Sequence, residues 1–359
     1  MISRVAILGL GMIGGSLGLV FTQVAGLEVA GYDREPETIE TALRMGAVNR
    51  TGSMSELAAW ADVVFLCTPV STIPGLAREM ARSCRPGCLL TDVGSTKQDI
   101  VEVFDSLTAT GLNGIGGHPM AGSERQGITG ADRYLFENAV YILTPGKNTS
   151  PGALEELRAL LVHTGAHVIT MDAETHDRLV ASVSHLPHLV ASALVNMLVG
   201  QDEALALAAS GFRDTTRVAS GDPELWTEIL LSNRRLLAGQ LESFIDRLSY
   251  LKTILEEQRS RDLQEFLTTS RDIRESLPSK RKGLTPTQQE MVCVVPDKPG
   301  IIGSLGSYLG EKGINIADIE ILRVREGDGG TIRIGLSREG DGPIAVETLL
   351  AHGIKAWIR

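Results

Sequence analysis

Val5-Ala6-Ile7-Leu8-Gly9-Leu10-Gly11-Met12-Ile13-Gly14 decides the fold of this chain. A short apolar run ends on G-x-G-x-x-G, and a helix-compatible stretch follows. In that context the first glycine makes a tight turn and the second lets backbone approach a pyrophosphate. The third lets the helix pack close on the strand. Gly9, Gly11 and Gly14 hold those positions, and Met12 and Ile13 belong to the same cofactor-binding turn. The helix N-terminus supplies N–H donors and a positive dipole end. Asp33 stands about twenty residues on, after the apolar run Glu28–Tyr32, where a carboxylate accepts both adenine-ribose hydroxyls. It would repel a 2′-phosphate, so the expected cofactor is NAD. Arg34 beside it keeps NADP open.

Outward from this turn, strand-like and helix-like stretches alternate. Strands read at Arg4–Leu8, Glu28–Tyr32, 62–67, 88–92, 113–116, 139–143 and 166–170; helical patterns include 72–81, 97–107 and 154–163. Apolar runs alternating with helices imply right-handed crossovers and a mostly parallel, doubly wound Rossmann-type α/β sheet over residues 1–171. Ligands of such sheets sit beyond the carboxyl ends of the strands. Thr68, Pro69, Val70 and Asp92 stand at such ends and are candidate cofactor contacts. The next strand leads into Gly117-His118-Pro119-Met120-Ala121-Gly122-Ser123-Glu124. Proline restricts the backbone of His118, and imidazole titrates near neutrality, which suits proton transfer. The alternative is a loop histidine bonded to nearby backbone. Ser95 is a candidate to bond a substrate hydroxyl or to orient His118, or it caps the helix that starts near Lys97.

After residue 171 the strand signal stops. Residues 172–282 read as an all-helical domain, with long stretches at 189–207 and 225–257. Its helices are apolar enough that some faces are expected to bury against a second subunit; otherwise they pack on each other. Ser184-His185-Leu186-Pro187-His188 places two histidines close to one helix face, and His176 lies one element earlier. No carboxylate or cysteine cluster accompanies them, so no metal is expected. Gly211-Phe212-Arg213-Asp214-Thr215-Thr216-Arg217 interrupts the helices, and Arg213 and Arg217 are candidates for carboxylate recognition. A basic linker at 277–283 follows. Residues 283–359 then read strand 290–295, helix 301–312, strands 314–323 and 331–337, helix 345–351 and strand 354–358. That βαββαβ order is ferredoxin-like.

Composition limits the function classes. The 359 residues are 43% hydrophobic and 22% charged, with a net charge of -10. That size allows two or three domains, and the acidic balance argues against nucleic acid or an anionic membrane as the main partner. Cys67, Cys84, Cys88 and Cys293 form no C-x-x-C pair; reduced thiols in a cytoplasmic protein are expected. The apolar N-terminal stretch is broken by glycines and does not read as a secretion signal. No apolar run is expected to reach transmembrane length.

The G-x-G-x-x-G, Asp92-Val93-Gly94-Ser95-Thr96-Lys97, the His118-Pro119 block, the His185–His188 block and the Arg213–Arg217 block occur in one order. Together they resemble the prephenate dehydrogenase family over nearly the whole chain. The last unit resembles an ACT domain, through Asp297-Lys298-Pro299-Gly300 and Gly313-Ile314-Asn315-Ile316. The resemblance implies NAD-dependent oxidative decarboxylation of prephenate to 4-hydroxyphenylpyruvate, the dehydrogenase step of tyrosine synthesis. It makes His118 the base for the 4-hydroxyl and has Ser95 orient that hydroxyl or His118. Arg217 would clamp a substrate carboxylate and His188 would position the pyruvyl side chain. His185, His176 and Asp214 would support this wall, Asp214 by orienting Arg217. The ACT-like unit implies an amino-acid effector, tyrosine or phenylalanine, held at a homodimer interface near Asp297, Gly300, Asn315 and Ile316; the alternative is a dimerisation module with no ligand. Arogenate dehydrogenase is the nearest other activity. A β-hydroxyacid dehydrogenase would need a catalytic lysine in the helical domain, and residues 172–250 contain none. An amino-acid sensor on a degenerate dehydrogenase is the non-enzymatic reading.

Overall fold

The structure, a computed structural model, describes residues 2–122, 125, 127–276, 289–296, 298–325 and 329–358. The chain divides into two compact units, Met1–Leu277 and Pro278–Arg359. The basic linker and the expected boundary at 282/283 lie outside the described residues.

The first unit is built on an eight-stranded sheet. Its strands are β1 (Arg4–Leu8), β2 (Glu28–Tyr32), β3 (Arg50–Thr51), β4 (Val63–Leu66), β5 (Leu89–Asp92), β6 (Asn113–Pro119), β7 (Val140–Pro145) and β8 (His167–Thr170). They lie in the order β3-β2-β1-β4-β5-β6-β7-β8. Neighbours are parallel except β6 and β7. The central strands are apolar on both faces because both faces are covered. Val5, Ile7, Val63 and Phe65 enter one core, while Ala6, Leu8, Val64 and Leu66 enter the other. The chain order reverses between β1 and β4, which opens a crevice at their carboxyl ends.

Two strands of this sheet differ from the sequence expectation. The strand β3 carries no apolar run; pairing with Ala30 and Gly31 alone makes it a strand. The strand β6 continues past 116, with His118 opposite Ile142 and Pro119 opposite Tyr141. His118 therefore sits in the end of a strand rather than in a loop.

After β8, Asp172 caps the helix Ala173–Val180 by accepting a hydrogen bond from Thr175 N at 2.8 Å. A π-helical turn, Ala181–His185, leads into the helix Leu186–Asn196. Together Ala173–Asn196 is long and apolar enough, by length and composition, to cross a membrane. This corrects the expectation that no stretch reaches that length. Yet His176, Asp177 and His185 on it are buried and hydrogen-bonded to other elements, as in a helix packed within a protein. The long pattern at 225–257 is broken at Asn233, between the helices Pro223–Ser232 and Arg234–Glu256. Val183, Met197, Val199, Leu207, Leu231 and Leu255 stay exposed, so packing within the first unit does not cover these apolar faces.

The second unit contains β9 (Gln289–Val295), β10 (Ile316–Arg325), β11 (Gly329–Leu336) and β12 (Lys355–Ile358), with helices Ile301–Gly310 and Asp341–Ala351. The strand order is β10-β11-β9-β12, all antiparallel. Met291, Cys293, Ile332 and Ile334 alternate toward the helices and pack with Leu305, Leu309 and Leu349.

Candidate active site

The glycine turn after β1 is shaped by close approach. Gly9 has φ +96, and a Cβ there would lie 2.4 Å from the Cys67 carbonyl oxygen, so this turn touches the one after β4. A Cβ on Gly14 would lie 2.0 Å from the Gly9 carbonyl oxygen. At Gly11 a Cβ would meet nothing within 4 Å. Gly11 is the N-cap of the helix Met12–Phe21, which no side chain caps. Met12 and Ile13 form its first turn. The result is an open cradle over backbone N–H groups, the shape and polarity that a pyrophosphate requires.

Asp33 lies directly after β2. Its Oδ2 accepts from Leu10 N at 2.8 Å and its Oδ1 from Glu35 N at 3.0 Å. The backbone thus pins the carboxylate beside the glycine turn, and it keeps lone pairs for ribose hydroxyls. Arg34 is exposed and pairs with Glu35 at 3.4 Å. Thr68 and Pro69 form the turn after β4, where Thr72 Oγ1 donates to the Pro69 carbonyl at 2.7 Å and lies 2.9 Å from Thr68 Oγ1. A dinucleotide therefore fits the residues present between these turns.

Two expected cofactor contacts are corrected. Val70 turns its side chain into the core. Asp92 is fully buried beneath the crevice: its Oδ1 accepts from Gly117 N at 3.0 Å, its Oδ2 accepts from Gly94 N at 2.8 Å, and Oδ2 also pairs with Lys97 Nζ. Lys97 Nζ further donates to the Gly117 carbonyl at 2.7 Å. Burial pushes the Asp92 carboxyl up and the Lys97 amine down, each against the pull of the other. The pair braces the ends of β5 and β6, and so the backbone that carries His118.

Ser95 lies between these braces, partly exposed, and does not cap a helix. The helix Gln98–Leu107 has Lys97 at its N-cap and no cap from its own side chains. Asp177, from the helical part, supplies it instead, with Oδ1 accepting from Lys97 N at 2.7 Å and Oδ2 from Gln98 N at 2.9 Å. Among the described residues Ser95 makes no hydrogen bond, which leaves its hydroxyl for a ligand.

His118 meets the helical part directly. Its Nδ1 lies 2.8 Å from His176 Nε2, and His176 Nδ1 lies 2.8 Å from Asp177 Oδ1. His176 is wholly buried. Burial holds the His118 imidazole well below its ordinary range, helped by His176, Lys97 and His185. This favours the neutral imidazole. Asp177 and Lys97 are the residues that sequence reasoning missed. Asp177 is adjacent to His176 in sequence, but only the fold shows what both its oxygens hold.

The histidines continue along one wall. Asn233 Nδ2 donates to the Asp177 carbonyl at 2.8 Å and to His185 Nδ1 at 3.2 Å. The helix break at Asn233 thus has a structural reason. His188 stacks on Trp226, with centroids 3.6 Å apart, and its buried Nδ1 has no partner among the described residues. The 3₁₀ turn Arg217–Ser220 packs on the helix that carries His188. Arg217 opens that turn and is exposed. Asp214 is also exposed, and its side chain makes no ion pair or hydrogen bond among the described residues, so the expectation that it orients Arg217 is corrected. Helical spacing puts it on the solvent side of Ser210–Thr216. Arg213 is likewise exposed.

Burial pushes His185 down to about 4. The unfolded chain takes up this proton from about pH 6.5 downward, whereas the folded chain resists it. Stability is therefore full above pH 6.5 and falls toward pH 4, by about 3 kcal/mol for this group. Urea unfolding at pH 7 and pH 5 checks this: His185→Gln reduces the difference between the two midpoints, and an unchanged difference refutes the assignment.

In the second unit, Gly300 has φ +84 and caps the helix Ile301–Gly310. Asn315 Nδ2 donates to Ser337 Oγ at 3.1 Å, and Ile316 opens β10 opposite Leu336. Asp297 lies outside the described residues.

Comparison with known proteins places this geometry. The family model for the prephenate dehydrogenase nucleotide-binding domain matches residues 21–170, and the one for its dimerization domain matches 172–269. Prephenate dehydrogenase from Bacillus subtilis is 36% identical over 340 residues, covering 93% of this chain and 92% of that protein. The chain belongs to the prephenate dehydrogenase family. An ACT domain model matches residues 291–346. Prephenate dehydrogenase from A. aeolicus, solved with hydroxyphenyl propionate and NAD+, is 31% identical with a TM-score of 0.71, covering 77% of this chain and 99% of that one. Arogenate dehydrogenase from Synechocystis is 35% identical with a TM-score of 0.69, covering 76% and 99%. Structures of this family thus include proteins named for either substrate.

Proposed function

We propose that the chain catalyses the NAD-dependent oxidative decarboxylation of prephenate to 4-hydroxyphenylpyruvate. In this reading it is a cytoplasmic homodimer with a dinucleotide-binding part (1–171), a substrate and dimerisation part (172–282) and a regulatory part (283–359). The observation that carries the reading is His118, a neutral imidazole backed by His176, at the end of a strand beside the cofactor crevice. Bound NAD+ supplies the hydride acceptor. His118 accepts the proton of the 4-hydroxyl as the carbonyl forms there, and the Ser95 hydroxyl orients that group. Arg217 holds a carboxylate of the substrate, and His188 on its Trp226 platform positions the pyruvyl side chain. Loss of the ring carboxylate as CO2 aromatises the ring and drives the reaction.

The exposed apolar residues of the helical part supply the dimer face in this reading. The ACT domain supports feedback by an amino acid, tyrosine rather than phenylalanine as the end product, near Gly300, Asn315 and Ile316.

An assay at 340 nm crossing prephenate and arogenate with NAD and NADP tests the proposal. Turnover of prephenate with NAD is expected; turnover of arogenate alone reassigns the substrate, and no turnover with any pair leaves the sensor reading. Arg217→Ala raises KM for prephenate about ten- to a hundred-fold, the worth of a charged hydrogen bond, and an unchanged KM removes Arg217 from the site. Millimolar tyrosine lowers the rate, and an unaltered rate and oligomeric state remove it as effector.

A further inference from the structure

Hydrogen-bond roles along one chain of residues fix which nitrogen of His118 carries its proton. The Asp177 carboxylate receives backbone N–H groups on both oxygens, from Lys97 at 2.7 Å and Gln98 at 2.9 Å. Backbone N–H only donates, so both oxygens accept, the pattern a carboxylate anion makes. The positive end of the helix Gln98–Leu107 favours the same state. His176 Nδ1, 2.8 Å from Asp177 Oδ1, must then be the donor in that bond. With His176 taken as a neutral imidazole, its other nitrogen is the acceptor. Across the 2.8 Å contact between His176 Nε2 and His118 Nδ1, the proton therefore belongs to His118 Nδ1. That leaves the lone pair of His118 on Nε2, at the far edge of the ring.

We propose that His176 and Asp177 are positioning residues for the base: they hold His118 with its proton on Nδ1 and its lone pair on Nε2, and they receive the charge that forms during turnover. The inference rests on the reading of His118 as the base. In the step, the substrate O–H proton passes to His118 Nε2, and the O–H electron pair becomes part of the new carbonyl. The Nδ1 proton of His118 can then move to His176 Nε2, which places the cation against the Asp177 carboxylate. The Asp177 carboxylate also caps the helix beyond β5, so one side chain from the helical part both docks on the dinucleotide-binding part and orients its base. A histidine in a strand end has no other described group to fix its tautomer.

The test uses the full-length enzyme with 15N-labelled histidine. In wild type, the His118 resonances, assigned by their loss in His118→Asn, show Nδ1 protonated and Nε2 unprotonated at pH 7.5. His176→Leu removes the acceptor and lowers kcat about a hundred-fold, with KM for prephenate and Kd for NAD within about two-fold. His176→Gln keeps an acceptor for the His118 N–H but cannot take its proton, so it retains the tautomer and loses about ten-fold in kcat. A proton on Nε2 in wild type overturns the proposal, as does a folded His176→Leu enzyme with near-normal kcat. If His176→Leu fails to fold, the wild-type tautomer and the His176→Gln rate decide. Wild type that turns over neither prephenate nor arogenate, yet shows the Nδ1 proton, overturns the functional reading and leaves the hydrogen-bond chain standing.

Discussion

His118→Asn lowers kcat for prephenate by about a thousand-fold or more, while NAD binding stays within about two-fold, as expected when a general base is removed from an otherwise intact site. Asparagine keeps an N–H that can reach His176 Nε2, so the strand end and its neighbours are retained. It has no nitrogen lone pair to accept the hydroxyl proton. The residue stands at the end of β6, away from the Gly9–Gly14 cradle and from Asp33, so dinucleotide affinity has no reason to change. Fluorescence titration with NAD and steady-state rates at 340 nm separate the two effects; near-normal kcat would sink the assignment. The same residue sets the acid limb. In the proposed reaction activity requires neutral imidazole, and His118 is held well below its ordinary value by burial and by His176, Lys97 and His185. The neutral form therefore persists as pH falls through 6.5, and kcat/KM stays level there. A limb centred at or above 6.5 contradicts the burial argument.

Gly14→Ala weakens NAD binding about a hundred-fold or more, by forcing the turn out of shape, and destabilises the first unit by roughly 1–3 kcal/mol. The added Cβ would stand 2.0 Å from the Gly9 carbonyl oxygen and 3.1 Å from both Cys67 Cβ and Ile7 Cγ2. The nearest atom is backbone, so no rotamer change relieves the clash. Helix and strand must separate, and the cradle between them opens. Gly11→Ala is the contrasting variant. Its Cβ meets no protein atom within 4 Å, so the thermal midpoint falls far less than in Gly14→Ala, by no more than the weaker N-cap costs, while the methyl enters the space a pyrophosphate would fill. Differential scanning fluorimetry and NAD titration on both variants check the pair. Full NAD affinity in Gly11→Ala would show that the cradle lies elsewhere.

The glycine turn, the strands around it and the carboxylate at Asp33 were legible because each follows from local chemistry: tight turns need glycine, and a sheet covered on both faces needs apolar runs. The ferredoxin-like order of the last unit was legible for the same reason. Asp92 and Val70 misled because a position at a strand end does not state which way the side chain turns. Asp92 turns under the sheet end to meet Lys97, and Val70 turns into the core. Asp214 misled because three-residue spacing to Arg217 suggests contact only within one regular helix, and a 3₁₀ turn begins at Arg217.

By itself the sequence determined that a glycine-rich dinucleotide turn precedes a histidine held before a proline, and that a helical part carrying His and Arg motifs and a small βαββαβ unit follow. Those features are written in residue type and spacing. Only the tertiary structure decided what surrounds that histidine. Asp177 is separated from the first residues of its capped helix by about eighty positions, and it joins His176 and His118 because two parts of the chain close on each other. Partners so far apart leave no local trace: an aspartate after a histidine reads as an ordinary exposed helix residue until the fold buries it, removes its water and offers it three N–H donors.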